Sequence, residues 1–338
     1  MKAAKLVEVG RFELAEIPVP EITAPDDVLV QVKCVGICGT DLHIFKEGRA
    51  DVKMPVIMGH ELSGVVLDKG SAVHDLKAGD RVVLDPVFAC GECRTCRSGH
   101  PNVCPHVRCY GVQMDGGYQE KIVVRRHHLY QFNNDISFEE AALAEPFSIA
   151  SNILFRAGLQ AGEKILILGA GTIGLSVLQV AKMLGAEAVV SDIIPEKLTV
   201  AASFGADLTV NSKATPLKNA LAADYADGFD VIVDAVGIVP LFVQTFDYAA
   251  PCARIMCIGF DGAPAQIPMA AITRKELSVI GSRMNNHRFP EVIDWLNNGK
   301  INAKAMITKR CSIDSIQTAF EETLANSTGS IKTIIEVS

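Results

Sequence analysis

Long uninterrupted apolar runs are missing from this 338-residue sequence, and no stretch is long enough to span a bilayer. A membrane-spanning protein is therefore not expected, and no membrane partner is. The first segment, MKAAKLVEVGRFEL, lacks the apolar core of a signal peptide. A cytoplasmic protein is the expectation, with its ten cysteines reduced and available for metals or packing. Basic excess is missing too: 32 Lys and Arg stand against 39 Asp and Glu, for a net charge of −7. Without a long basic run, nucleic acid is excluded as the expected partner. Internal repeats and low-complexity segments are also absent. What remains is 49% hydrophobic and 21% charged, a soluble globular composition whose length suits two domains.

The early part of the chain consists of short apolar runs cut by Pro, Gly and Asp: DVLVQVKCVGI, ELSGVVLDKG, DRVVLDP and EKIVV. These read as strands of a β-rich domain. From about Leu143 the pattern changes. KILILGAG is a short buried strand meeting a glycine turn, and TIGLSVLQVAKMLG is an apolar-periodic helix ending at Gly185. AEAVVSDI, FDVIVDAVG, ARIMCIGF and ELSVIG are strand-like, with helical stretches between, among them PEKLTVAASFGA with Pro195 in its first turn. Strands alternating with helices predict an α/β fold with a parallel, doubly wound sheet covered on both faces. After Gly281 come two amphipathic pieces, FPEVIDWLNNGK and SIDSIQTAFEETLAN, and a last strand, SIKTIIEVS.

GAGTIG places Gly169, Gly171 and Gly174 in the GxGxxG spacing, with Thr172 and Ile173 between the last two. The motif follows a strand, opens a helix and is followed by Asp192 at the end of the next strand, which is the dinucleotide context. Gly169 permits the tight turn, Gly171 lets a pyrophosphate approach the helix N-terminus, and Gly174 lets helix and strand pack closely. Asp192 would accept hydrogen bonds from ribose hydroxyls and repel a 2′-phosphate, which favours NAD over NADP. Lys197 is the residue that could instead reach a phosphate. The competing reading is a glycine turn used only for packing.

Two further constellations carry metal chemistry. GICGTDLHIF and MGHELSG supply Cys38, Thr40, Asp41, His43, His60 and Glu61. Cysteine, histidine and carboxylate together suit zinc, and three protein ligands leave the open position that a catalytic zinc needs. CGECRTCRSGHPNVC holds Cys90, Cys93, Cys96 and Cys104. Zinc, an iron–sulfur centre and a nucleic-acid knuckle are the candidates for this cluster. Four thiolates around zinc fill its shell and make the site structural. Cys34, Cys109, Cys252, Cys257 and Cys311 have no spacing partners and read as packing residues.

Through GICGTDLH, GHELSG, the four-cysteine lobe, LAEPFSIA and GAGTIGL, the chain resembles the zinc-dependent medium-chain alcohol and polyol dehydrogenases along nearly its whole length. Within them it is similar to the sorbitol, threonine and sugar-acid branch, because Glu145 of AEPF stands where alcohol dehydrogenases usually place a cysteine. The resemblance implies a GroES-like catalytic domain, residues 1–148 and 285–338, around a Rossmann NAD-binding domain, residues 149–284. It implies two zinc ions per subunit, one catalytic and one structural, with Cys38, His60 and either Glu61 or Glu145 at the first and the four lobe cysteines at the second. Asp41 would orient His60, Thr40 would take the substrate proton, and His43 would pass it towards solvent. The GSR…FPEVIDWL run looks like the hexonate dehydrogenases that oxidise L-galactonate or L-gulonate at C5, with Arg283 and Asn285 facing the substrate. The expected activity is thus NAD-dependent oxidation of a sugar acid, with sorbitol, another polyol or L-threonine as the alternative substrate. A zinc-free quinone-reductase-like or non-catalytic nucleotide-binding protein is the weaker alternative, since such chains lack the ligand set. Family resemblance also implies a homodimer or homotetramer.

Overall fold

The computed structural model describes residues 1–259, 262–326 and 329–338, and the chain divides into two units, Met1–Glu145 with Asn285–Ser338, and Pro146–Met284. The division falls inside the continuous helix Ala144–Ala157, three residues before the sequence-based boundary at 148.

The first unit is built on a seven-stranded sheet. Its central strand, Asp27–Gly36, pairs antiparallel with Glu61–Lys69, Lys121–Arg125 and Lys332–Glu336. Val28, Val30, Val32 and Val35 of that strand are fully buried, the place where β-branched side chains pack best. Beyond Glu61–Lys69 lie Arg81–Leu84 and Leu129–Gln131, and beyond Lys332–Glu336 lies Ile307–Ser312. An aromatic cluster of Phe12, Phe45, Tyr118 and Phe320 closes the core, with Phe12 and Phe320 ring centroids 4.8 Å apart. Phe45 reaches it from a short helix, Gly39–Glu47.

The second unit is a parallel six-stranded sheet in the order Leu208–Asn211, Glu187–Asp192, Lys164–Leu168, Phe229–Asp234, Ala249–Cys257, Ser278–Gly281. Ile165, Leu166, Ile167 and Leu168 are all buried, as expected for a strand covered on both faces. The chain order reverses beside Lys164–Leu168, so the switch point where such sheets bind nucleotides sits at the C-terminal end of this strand. The architecture is therefore a GroES-like β unit plus a Rossmann-type nucleotide-binding unit. Among the described residues, no helix is long and apolar enough to cross a membrane.

Cys252 departs from the packing role expected of it. It is exposed at φ +63° in the Ala249–Cys257 strand, where the backbone N–H of Cys252 donates to the carbonyl of Lys275 instead of continuing the ladder.

Candidate active site

Among the described residues, two groups of three or more potential metal ligands converge, both in the first unit: Cys90, Cys93, Cys96 and Cys104, and Cys38, His60 and Glu61. The lobe sulfurs are separated by 3.4 Å (Cys93–Cys96), 3.5 Å (Cys90–Cys104), 3.7 Å (Cys93–Cys104) and 3.9 Å (Cys90–Cys96). A zinc–sulfur distance of about 2.3 Å places tetrahedral ligands about 3.8 Å apart. The four thiols thus already outline a zinc shell, and a filled shell leaves no place for a substrate.

The second group is assembled by the Gly39–Glu47 helix and the start of Glu61–Lys69. Cys38 is the helix N-cap, in extended conformation, and its backbone N–H donates to Asp41 Oδ2 at 2.9 Å. Tyr118, fully buried, donates its hydroxyl to the same oxygen at 3.3 Å. The other oxygen of Asp41 faces His60 Nδ1 at 3.5 Å, and both atoms are buried without a hydrogen-bond partner. An acid behind Nδ1 leaves Nε2 for a metal, the arrangement that metal-binding histidines require. Burial alone would lower the pKa of His60, but Asp41 and Cys38 outweigh it and raise the value well above the ordinary histidine range. This excess of negative charge around one imidazole is what a divalent cation would neutralise.

Glu61 and Glu145 are both buried. Glu61 lies in the converging group, yet both of its oxygens accept hydrogen bonds from Lys332 Nζ, at 2.8 and 2.7 Å. Lys332 spends its third proton on the carbonyl of Ile37 at 3.0 Å. The ion pair bridges over the strand between its two partners, and it passes over Gly36. A Cβ at Gly36 would sit 2.0 Å from Glu61 Oε2. Glu145 has its carboxyl pushed up to about 7, chiefly by burial and further by Glu61, against the opposing pull of His60. Thr40 is half-buried in the first turn of the helix. His43, one turn on, is exposed with Nδ1 3.6 Å from Glu47.

Sequence reasoning missed Lys332, Gly36 and Tyr118. The available signal for Lys332 was a charged residue opening the strand KTIIE ahead of the apolar pair Ile334 and Ile335. Of the two residues expected to face a substrate, Arg283 is exposed. Asn285 is 2% exposed and donates its amide to Asp85 Oδ1 at 3.0 Å.

In the second unit the glycine turn has the required geometry. Gly169 has φ +100°, and a Cβ at Gly174 would lie 1.8 Å from the Gly169 carbonyl oxygen. A Cβ at Gly171 would meet nothing within 4 Å, so the space above this helix N-terminus is open for a ligand. Asp192 accepts from the backbone N–H groups of Ala170 and Ile194, at 2.6 and 2.9 Å, which fixes its carboxylate beside the turn. Lys197 is half-buried in the following helix, Pro195–Ser203.

A nucleotide-binding α/β unit, joined to a β unit with one closed and one open metal group, defines a metal-dependent nicotinamide dehydrogenase. Residues 24–134 match the alcohol dehydrogenase GroES-like domain, and residues 172–298 match the zinc-binding dehydrogenase domain. Starvation-sensing protein RspB of Escherichia coli K12 is 35% identical, with 91% of each chain covered. Sorbitol dehydrogenase of Bacillus subtilis is 32% identical, over 96% of this chain and 94% of its own. The crystal structure of RspB from E. coli CFT073, an alcohol dehydrogenase in complex with NADH, superposes with a TM-score of 0.95 at 33% identity, covering 99% of both chains. The chain belongs to the zinc-dependent medium-chain alcohol dehydrogenase family. It is a zinc-containing, NAD-dependent oxidoreductase of the CH–OH class, and zinc and NAD are its cofactors.

Proposed function

We propose that this protein oxidises a secondary alcohol of a polyol, sorbitol-like in class, to a ketone. The observation that carries this reading is the convergence of Cys38, His60 and Glu61, three potential ligands of the kind that leave a catalytic zinc one further position, in a chain with a 32%-identical relative that is a sorbitol dehydrogenase. The finer hexonate reading, L-gulonate or L-galactonate oxidised at C5, rests on the resemblance of the GSR…FPEVIDWL run and on Arg283, and the threonine reading rests on resemblance alone.

Cys38 and His60 hold the catalytic zinc with Glu61 converging on them, and the pairing of Glu61 with Lys332 favours the buried Glu145 as the carboxylate that takes its place on the metal. Bound zinc supplies Lewis-acid polarisation of the substrate hydroxyl, and bound NAD accepts the hydride. The hydroxyl of Thr40 takes the substrate proton, and His43, exposed at the helix surface, passes it to solvent. Asp41 orients His60. The backbone of Gly169, Gly171, Thr172, Ile173 and Gly174 cradles the pyrophosphate. Asp192 keeps lone pairs for the ribose hydroxyls and opposes a 2′-phosphate, which Lys197 would have to offset.

The subunits associate as a homodimer or homotetramer. The outermost strand, Ser278–Gly281, supports this: it lies at the end of its sheet, Val279 is 43% exposed, and no Lys or Pro blocks the edge. Light scattering that gives a monomer mass removes this part of the reading.

The activity is tested by NADH formation from sorbitol, xylitol, L-gulonate, L-galactonate and L-threonine. Oxidation of the polyols supports the proposal. Activity confined to the hexonates replaces it with the sugar-acid reading, and activity on none of the five overturns it.

A further inference from the structure

We infer that Asp85, held in place by Asn285, is a specificity residue that accepts hydrogen bonds from the neutral hydroxyls of the substrate and excludes substrates carrying a carboxylate or phosphate. The inference rests on the polyol reading above and assigns to a residue the choice between neutral and anionic sugars.

Asp85 follows the Arg81–Leu84 strand and is fixed from several directions. Its backbone N–H donates to the His128 carbonyl at 2.7 Å, and its own carbonyl lies 3.0 Å from His128 Nδ1. Oδ1 accepts from the backbone N–H of Val87 at 3.1 Å and from Asn285 Nδ2 at 3.0 Å. Oδ2 has no donor among the described residues and is not among the buried unpartnered atoms, so it retains access to solvent. Asn285 differs: its Oδ1 is buried and unpartnered, out of reach of a ligand. Asn285 is therefore a positioning residue, and the accessible polar atom is Oδ2 of Asp85. The neighbouring Asn286 ties the same segment to the lobe by donating to the Gly99 carbonyl at 3.0 Å.

The backbone places this acid beside the metal group. The Pro86 carbonyl accepts from the N–H of Tyr110 at 3.0 Å, and Val87 pairs with Cys109. Gly111, which follows Tyr110, is pressed against the segment that carries His60. A Cβ there would lie 2.5 Å from the Gly59 carbonyl and 2.8 Å from His60 N. The field of Asp85 reaches the same pocket, since it adds to the upward shifts of Cys109 and Glu145, both caused chiefly by burial.

A carboxylate oxygen accepts hydrogen bonds and donates none when ionised, so a hydroxyl is its natural partner. A second anion placed there is opposed by like charge at low effective dielectric, and selection against the wrong substrate commonly takes this form.

The test compares D-sorbitol with D-gluconate, which shares the configuration of its inner carbons but carries a carboxylate. The zinc-loaded enzyme is assayed with saturating NAD. Wild type is expected to favour sorbitol in kcat/KM by about tenfold or more, and Asp85→Asn to narrow that ratio by about tenfold. Asn285→Ala should narrow it less, with zinc content and the KM for NAD unchanged. A wild-type preference for gluconate overturns the inference even if neither variant folds. So does an Asp85→Asn enzyme that holds two zinc ions and loses activity equally on both substrates. If wild type oxidises neither compound nor any other polyol, the proposed function fails instead.

Discussion

Replacing Lys332 by Met strands a carboxylate in the interior. The Lys332 and Glu61 side chains are 1% and 2% exposed, and Nζ makes three hydrogen bonds, two to Glu61 and one to the Ile37 carbonyl. Breaking a buried pair from one side costs about 3–5 kcal/mol. Lys332→Met is therefore expected to destabilise the first unit by roughly 3–5 kcal/mol. The double variant Lys332→Met/Glu61→Gln removes the stranded charge and should recover about 2 kcal/mol or more relative to additivity. Urea unfolding of the zinc-loaded protein, followed by the fluorescence of Trp295, reads this directly, since the chain's single tryptophan lies in the same unit. A Lys332→Met variant within about 1 kcal/mol of wild type, or a cycle with no coupling, refutes the reasoning.

Two further outcomes follow from the same structure. His128 has its pKa lowered to about 4, first by burial and then by the charge of His127, so the folded state keeps it neutral where the unfolded chain protonates it. Its contribution is complete above pH 6.5 and is lost as pH falls towards 4, by about 3 kcal/mol in all. The stability difference between wild type and His128→Phe should trace that loss, and a pH-independent difference contradicts it. Cys104→Ser, at a position 1% exposed, should lower zinc from two ions per chain to one and open residues 90–109 to proteolysis, with NAD affinity unchanged. A variant that retains both zinc ions refutes the assignment of the lobe.

Local requirements were legible in the sequence. Gly169 and Gly174 are demanded by backbone geometry within one turn, and the four lobe cysteines lie within fifteen residues, so their spacing carries their purpose. The alternation of strands and helices likewise declared the nucleotide unit. Pairings across the chain were not legible. Lys332 meets Glu61 from 271 residues away, and Asp85 meets Asn285 from 200. Neither pair leaves a mark on local periodicity. The Gly39–Glu47 helix was hidden for another reason: its first turn is Gly, Thr and Asp, and its N-cap is a cysteine, not one of the usual oxygen-bearing residues. Cys252 shows the limit of composition, since a cysteine without a partner is most often buried and this one is exposed at positive φ.

The central claim is that Cys38 and His60 hold the zinc that polyol oxidation needs, while the lobe zinc only supports the fold. The most direct measurement is zinc content alongside NADH formation from sorbitol, in wild type and in His60→Ala. Wild type should hold two zinc ions and turn over. His60→Ala should hold one, bind NAD with unchanged affinity and show no turnover. A His60→Ala protein that still oxidises sorbitol, or a wild type that does so after losing every zinc except the one in the lobe, contradicts the claim.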